Sequence, residues 1–441
     1  MSIFNIIDFG AEGNGKRNAT AALQKAIDVC ALSGGGCVYV PQGTYSTGML
    51  TLKSHINLHL EAGAVIKGSD DADAYPVLGP TPFNNAPGQI QVLLYACDAE
   101  DIVVSGQGVI DGGGYADLWG PDSHKETFRP ALVLFKDCLR VKFQDVNLAY
   151  SRYWTLHLQR CRDVEIRGVS INANQNRINT DGIDPDGCTN VQISDCNITT
   201  GDDCIVLKST QGDVCENITV SNCILSSKCA AFKIGTETIG PIRNVTVHNC
   251  IVRESSHGLM VYSKDGGEIE NCIVADCVFD VREHFPLMLD ITPRFHHEST
   301  PGPVRAFQFN NLIFAGPGRA LLQGTDACAL DDISLKSIVW NVKGESADFT
   351  ACTKPLGSAR SEPDPRAPNL TTRQAQFIVS HVNGLTLDDI IVRARNEDQM
   401  LDRGVFYLDN ITKGMVKHFR CDKLRESINP VAMHQCRNVK L

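Results

Sequence analysis

TNVQISDCNI at 189–198, ENITVSNCIL at 216–225 and RNVTVHNCIV at 243–252 are three copies of one pattern that returns every 27 residues. Asparagines occupy one position of this repeat and cysteines another: Asn190, Asn217, Asn244 and Asn271, with Cys196, Cys223, Cys250 and Cys277. Short alternating runs of β-branched residues, separated by Asn, Asp and Gly, are typical of strands and turns. A set of strands that returns at a fixed period predicts one coil of a parallel β-helix, whose stacked coils bury a shared core.

Looser copies of the pattern surround this block, at 101–112, 138–148, 330–340 and 385–394. The sequence therefore predicts an all-β, right-handed parallel β-helix of about ten coils, forming a single domain over residues 1–441. Apolar positions at helical spacing over 18–33 predict a helix that caps the exposed N-terminal edge. Residues 343–372 lack periodicity and are expected to form a long loop or lid.

Charge and composition exclude several classes of function. The formal net charge of −10 argues against a nucleic-acid partner, and no run of 18 apolar residues is present to span a membrane. The N-terminal stretch has no secretion signal, which favours a cytoplasmic location, whereas a chain whose leader had been removed would be secreted. The 18 cysteines lie largely among Ile and Val without metal-ligand spacing, so we expect free thiols in the core.

Three carboxylates lie close together in the segment NTDGIDPDGCTNVQISDCNITTGDDCIVLKS, which spans 179–209. Asp181 follows Asn-Thr, and Asp202 and Asp203 follow Gly201. Neighbouring carboxylates repel one another, so their pKa values separate. Hydrolysis of a glycosidic bond requires such a pair, one carboxyl as acid and the other as base.

Several motifs resemble those of glycoside hydrolase family 28, the polygalacturonase and rhamnogalacturonan hydrolase family of right-handed parallel β-helices. They are DFGAEGNGKRNATAALQKAID at 8–28, GGGCVYVPQGTY at 34–45, GVIDGGGYADLW at 108–119, NTDGIDPDG at 179–187 and GDDCIVLKS at 201–209. The resemblance covers most of the chain, and the order and separation of the NTD and GDD motifs are its most specific part.

The resemblance implies hydrolysis with inversion at the sugar carbon. Asp202 would be the general acid that protonates the leaving oxygen, while Asp181 and Asp203 would hold and deprotonate the attacking water. Inverting enzymes separate the two carboxyls by about 6.5–9.5 Å to leave space for that water. No metal or cofactor is expected. The alternative is a ladder of aspartates that satisfies turns or binds a metal, and this applies more to Asp184 and Asp186.

The sequence departs from the family at the substrate-binding positions. Polygalacturonases of the family carry Gly-His-Gly one coil after GDD and a later Arg-Ile-Lys, but this chain has Ala230, Met260 and Tyr262 at those positions. A buried uronate carboxylate needs a charged partner, so cleavage of plain polygalacturonan is not expected.

Other residues are candidates for holding the sugar. We take the substrate-binding set to be Lys233, His257, Lys208, Glu237, Arg294 and Tyr262. The alternative for His257 is a turn histidine stacked on His284. The alternative for Arg294, together with His296 and His297, is a solvated loop.

The sequence thus predicts an inverting, exo-acting glycoside hydrolase, not a standard polygalacturonase, on pectin-derived or related oligosaccharides that contain uronate or rhamnose. One alternative is a polysaccharide lyase, with Ca²⁺ held by the aspartates. The other is a non-catalytic β-helix that binds glycans. The sequence does not indicate an oligomeric state.

Overall fold

A computed structural model describes residues 2–80, 89–119, 126–282, 285–291, 300–343, 370, 373–394 and 400–441. Within these ranges the chain has one α-helix, α1 at Thr20–Leu32, and two 3-10 helices at Ile6–Phe9 and Ala72–Ala74. Helix α1 lies inside the segment expected to cap the N-terminal edge, and it packs on the first strands of the chain. Among the described residues, no helix has the length and apolar composition that crossing a membrane requires.

The remaining regular structure is β-strand. The strands are β1 Ile3–Asn5, β2 Asn14–Asn18, β3 Gly36–Val40, β4 Gly43–Thr47, β5 Leu50–Thr51, β6 Ile56–Leu60, β7 Ala64–Gly68, β8 Gly79–Pro80, β9 Gln89–Ile90, β10 Val92–Cys97, β11 Glu100–Gly106, β12 Val109–Asp111, β13 Ala131–Lys136, β14 Leu139–Gln144, β15 Asn147–Ala149, β16 Leu156–Gln159, β17 Arg162–Arg167, β18 Ser170–Asn172, β19 Ile183–Asp186, β20 Thr189–Ser194, β21 Asn197–Thr200, β22 Ile205–Ser209, β23 Cys215–Ser221, β24 Ile224–Ser227, β25 Ala230–Thr238, β26 Ile242–His248, β27 Ile251–Ser255, β28 His257–Tyr262, β29 Ile269–Val281, β30 Leu287–Asp290, β31 Val304–Gly316, β32 Ala320–Gln323, β33 Leu330–Val342, β34 Ala375–Ala394, β35 Gly404–Asp422, β36 Val431–His434 and β37 Arg437–Lys440.

The chain divides into two compact units, Met1–Val206 and Leu207–Leu441. In the first unit, three parallel ladders run side by side, as expected for the three sheets of a β-helix. They are β3–β6–β11–β14–β17–β20, β4–β7–β12–β15–β18–β21 and β5–β10–β13–β16–β19.

The second unit has the same organisation with longer strands. Its ladders are β23–β26–β29–β31–β33–β34–β35–β37, β25–β28–β30–β32–β34–β35–β36 and β24–β27–β29, the last of which merges with the first because β29 and the strands after it are long enough to belong to both. The expected all-β class, a right-handed parallel β-helix, is confirmed. The described ladders hold more coils than the about ten that the repeat predicts, because the outer coils lack its Asn and Cys signature.

The repeat positions serve two structural purposes. Asn217, Asn244 and Asn271 adopt the left-handed backbone conformation, and their side-chain amides hydrogen-bond from coil to coil at 3.0 and 3.2 Å. Asparagine tolerates this conformation better than most residues, so it marks the turn of each coil. Every cysteine that the structure describes is a free thiol, and most of them are buried, as the apolar surroundings predicted.

The single domain over 1–441 remains a prediction. Most of the expected loop or lid at 343–372 lies outside the described residues.

Candidate active site

The two carboxylate motifs precede neighbouring strands. Asp181 lies two residues before β19, and Asp203 lies two residues before β22. The backbone N–H of Gly182 donates to the carbonyl of Asp203 at 2.9 Å, and that of Ile183 donates to Cys204 at 2.9 Å. These bonds place Asp181 and Asp203 side by side on adjacent coils.

Asp202 differs from the other two carboxylates in its exposure. Asp181 and Asp203 are 3% and 1% exposed, whereas Asp202 is only partly buried. One carboxylate oxygen of Asp202 accepts the backbone N–H of Asn179 at 3.2 Å, and the other accepts that of Asp203 at 3.0 Å. These two bonds, one to each oxygen, fix the orientation of the carboxylate.

Small residues bring the two motifs together. Gly201 packs so closely that an added Cβ would meet the carbonyl oxygen of Arg177 at 2.2 Å and that of Asn174 at 2.6 Å. The Thr180 hydroxyl accepts the Gly201 N–H at 3.1 Å and donates to the Arg177 carbonyl at 2.9 Å. Glycine and threonine at these positions therefore hold the turn that carries Asp202 against the turn that carries Asp181.

Asp184 and Asp186, the other acids of the segment, are 0% and 1% exposed and lie on β19. Asp186 accepts hydrogen bonds from His157 and Gln159, each at 3.2 Å. Asp184 lies in register with His157 on β16. Asp186 therefore serves the packing of the sheet, and His157 is a polar residue beside the site that the sequence did not single out.

A wall of arginine and aromatic side chains borders the site in the first unit. Arg129 and Arg177 both donate Nε–H to the carbonyl oxygen of Arg152, each at 3.2 Å. The Tyr153 and Trp154 rings are stacked at 5.3 Å, and Trp154 meets the His157 ring edge-on at 4.8 Å. Sequence reasoning missed these residues, although Tyr153 and Trp154 lie three and two positions before β16.

The expected sugar-binding residues of the second unit form two pairs. Lys208 is 4% exposed, and its Nζ donates to the Glu237 carboxylate at 3.0 Å, so the two charges neutralise each other. The Lys233 ammonium lies 5.8 Å from the centre of the Tyr262 ring. His257 stacks on Phe285 with ring centres 6.5 Å apart. His284, its expected stacking partner, and Arg294, His296 and His297 lie outside the described residues.

Tyr262 is 2% exposed and belongs to an apolar cluster of the second unit. The cluster includes Met260, Met288, Leu321 and Ile378, which lie in register on successive strands. Its members also include Phe285 and Leu370. Lys264, which the sequence did not suggest, donates to Asp290 at 3.2 Å and lies 4.8 Å from the centre of the Tyr262 ring.

The family model for glycosyl hydrolases family 28 matches residues 30–275, which include all three catalytic candidates. The chain belongs to glycosyl hydrolases family 28. The match also includes Lys208, Lys233, Glu237, His257 and Tyr262, while Arg294 lies beyond its end.

Relatives of this family 28 chain include a probable polygalacturonase of Vitis vinifera, 33% identical over 198 residues. That match covers 42% of this chain and 40% of the relative. An exo-poly-alpha-D-galacturonosidase of Dickeya chrysanthemi is 38% identical over 122 residues, which cover 26% of this chain and 20% of the relative. The matches therefore span less than half of the length of either relative.

Among solved structures, the family 28 chain is similar to a hyperthermoactive exopolygalacturonase from Thermotoga maritima. The two share 27% identity with a TM-score of 0.68, over 78% of this chain and 89% of that one. The family 28 exopolygalacturonase of Yersinia enterocolitica has a TM-score of 0.71 at 18% identity, covering 100% of this chain and 78% of that one. At this identity the second likeness supports the fold alone.

Proposed function

We propose that this family 28 chain hydrolyses glycosidic bonds with inversion and acts on pectin-derived or related oligosaccharides from a chain end. The observation that carries the proposal is the difference among the three aspartates. Of the three, Asp202 is the one that is partly exposed, and backbone N–H groups donate to both of its carboxylate oxygens. Asp181 and Asp203 lie buried beside it.

This arrangement supports the roles that the family resemblance implies. Asp202, which reaches the surface, protonates the oxygen of the departing sugar. Asp181 and Asp203 orient the attacking water and take its proton. Positioned acid and base groups of this kind accelerate hydrolysis by about 10²–10⁴-fold each.

The spacing of the carboxyls bears on the stereochemistry. The closest oxygens of Asp202 and Asp203 lie within 4.8 Å of each other. That limit applies to the two closest oxygens, whereas the about 6.5–9.5 Å typical of inverting enzymes is the separation of the two carboxyl groups, so it does not identify the stereochemical outcome. The inversion therefore rests on family membership, and NMR of the freshly released anomer tests it. A product that keeps the anomeric configuration of the substrate would refute inversion.

Two observations support an oligosaccharide that is not plain polygalacturonan. The positions expected for the family's substrate-binding cations hold Met260 and Tyr262, which are 3% and 2% exposed inside an apolar cluster. Lys208 is paired with Glu237, so its charge is already balanced. Lys233, partly exposed on β25, is the residue that we assign to a uronate carboxylate. Action from a chain end is supported by the relatives named as exo-acting enzymes.

Replacing the assigned acid tests the proposal. Asp202→Asn preserves the shape of the side chain and should lower turnover by about 10²–10⁴-fold on pectic oligosaccharides, with the fold retained. The measurement is release of reducing sugar from a panel of oligosaccharides, with circular dichroism as the check of folding. Asp163→Asn is the matched control, because Asp163 is an exposed turn residue that accepts from Asn190 and an asparagine there still offers an acceptor.

Two outcomes would contradict the proposal. Full activity of Asp202→Asn would remove Asp202 from the role of acid. Products with the ultraviolet absorbance of an unsaturated uronate would indicate a lyase instead.

A further inference from the structure

Arg129 is a buried residue of the arginine wall that the proposed mechanism leaves without a role. Arg129 lies two residues before β13, and it is 4% exposed. Its guanidinium donates to the Arg152 carbonyl at 3.2 Å, to the Ile178 carbonyl at 2.6 Å and to Oδ1 of Asn179 at 3.3 Å. Two of these three acceptors therefore belong to the turn that leads into Asp181.

Asn179 connects this arginine to the catalytic acid. Its backbone is left-handed, with φ of 53°, and its N–H donates to Oδ2 of Asp202 at 3.2 Å. The direction of that N–H depends on the orientation of the Asn179 peptide. The Ile178 carbonyl and the Asn179 N–H belong to the same peptide group. Arg129 fixes the orientation of that group through its bonds to the Ile178 carbonyl and to the Asn179 side chain.

The charges around Arg129 agree with this connection. Burial lowers the pKa of Arg129, and the nearby Arg177 lowers it further, whereas Tyr153, Glu126 and Asp202 raise it. The guanidinium also lies 5.2 Å from the centre of the Tyr153 ring, a favourable contact for a cation. Arg129 is thus a buried cation close enough to Asp202 for their charges to interact.

We propose that Arg129 is a positioning residue for the general acid: through Asn179 it holds the Asp202 carboxyl in the orientation that protonates the leaving oxygen. The inference rests on the proposed function of Asp202. Arginine suits this position because its planar fork of N–H donors reaches two acceptors of one turn at once. A lysine would supply the charge but would not reproduce that geometry.

Arg177 is the matched control within the same wall. It is 2% exposed and donates to the same Arg152 carbonyl at the same 3.2 Å. Its other donors bind the Ala116 carbonyl and the Glu126 carboxylate rather than Asn179. Removing the Arg177 side chain therefore disturbs its neighbours Arg152, Ala116 and Glu126 but keeps the hydrogen bonds that link Arg129 through Asn179 to Asp202.

The test compares two substrates that carry the same sugar and differ in the leaving group. When an oligosaccharide is cleaved, the departing sugar is a poor leaving group that needs a proton from the general acid. When a dinitrophenyl glycoside is cleaved, the dinitrophenolate departs without one. Arg129→Met should lower kcat on the oligosaccharide by about 10²-fold but on the aryl glycoside by less than about 10-fold, with KM little changed. Arg129→Lys should recover only a small part of the loss. Arg177→Met should lower both activities by the same factor.

Asn179→Gly provides a second variant in case Arg129→Met does not fold. Glycine adopts the left-handed backbone and keeps the N–H that binds Asp202, but it removes the acceptor for Arg129. It should show the same selective loss on the oligosaccharide. Equal losses on both substrates for Arg129→Met and Asn179→Gly, or a selective loss for Arg177→Met, would overturn the inference while leaving the hydrolase intact. A wild-type chain that cleaves neither substrate would overturn the proposed function, and the inference with it.

Discussion

Gly201 controls the distance between the two turns that carry the catalytic candidates. It packs against the carbonyl oxygens of Asn174 and Arg177 and against the Thr180 hydroxyl. The atoms that a side chain would meet are these two carbonyl oxygens and this hydroxyl, and because hydrogen bonds hold all three, they have little freedom to move away. The geometry of Asp202 relative to Asp181 therefore depends on the absence of one methyl group.

Gly201→Ala should destabilise the fold by about 1–3 kcal/mol and reduce turnover strongly, because the new Cβ would meet the Arg177 carbonyl at 2.2 Å. Urea unfolding and kcat on the same sample measure the two effects. Gly414→Ala is the control, since its Cβ would meet only methyl groups of Ile411 and Val439, at 3.1 Å. We expect it to leave turnover unchanged. Wild-type activity in Gly201→Ala would show that the two turns tolerate separation.

Sequence alone indicated the three aspartates because their motifs are local and lie within 23 positions of one another. It did not indicate Arg129, which contacts Asn179 from 50 positions away, or His157, which contacts Asp186 from 29 positions away. Such contacts arise only when coils stack, and an arginine before a strand is ordinarily a solvated residue. The substrate-binding assignments of Lys208, Lys233, Glu237, His257, Arg294 and Tyr262 stay predictions.

At the scale of the structural element, the left-handed asparagine turn is the unit that repeats. Asn244 has φ of 56°, donates its amide to Asn217 and accepts from Asn271. The left-handed backbone of each turn costs free energy, and asparagine reduces that cost. The hydrogen-bonded side-chain amides also link each turn to the turns of both neighbouring coils.

Asn244→Ala should destabilise the second unit by about 1–2 kcal/mol, because alanine in the left-handed region is strained and the amide bonds are lost. Asn244→Gly should lose less, since glycine adopts this backbone freely and only the amide bonds disappear. The measurement is the midpoint of urea unfolding for both variants. Equal midpoints for alanine and glycine would show that backbone strain contributes nothing at this turn.

The fold was predictable because the period is a property of the sequence, and strands, turns and helix α1 follow from local patterns. The number of coils was not. The coils of β31, β33, β34 and β35 keep the apolar alternation but place other residues, Ala306, Asp332, Gly384 and Lys413, in the left-handed turn. Without the asparagine signature, their period is hidden in the sequence.

At the scale of the whole molecule, the net negative charge of the protein repels the proposed anionic substrate. The formal net charge is −10, and a pectic oligosaccharide is itself anionic. Like charges reduce the rate of encounter at low ionic strength, and salt screens this repulsion over a Debye length of about 10 Å at 0.1 M.

Raising the salt concentration from about 10 to about 200 mM should therefore increase kcat/KM on a uronate oligosaccharide by a few-fold at pH 7. The methyl-esterified oligosaccharide, which is neutral, is the control and should respond little. A fall of kcat/KM with added salt would show instead that local cations such as Lys233 attract the substrate and outweigh the net charge.

The buried cysteines that recur every 27 residues are thiols whose chemical labelling can report on local opening of the fold. Cys223, Cys250 and Cys277 occupy equivalent positions of consecutive coils, and each is 1% or 2% exposed as a free thiol. An alkylating reagent can modify such a thiol only when its own coil opens. The order in which these residues are labelled would therefore reveal the order in which adjacent coils separate, without introducing any probe into the chain.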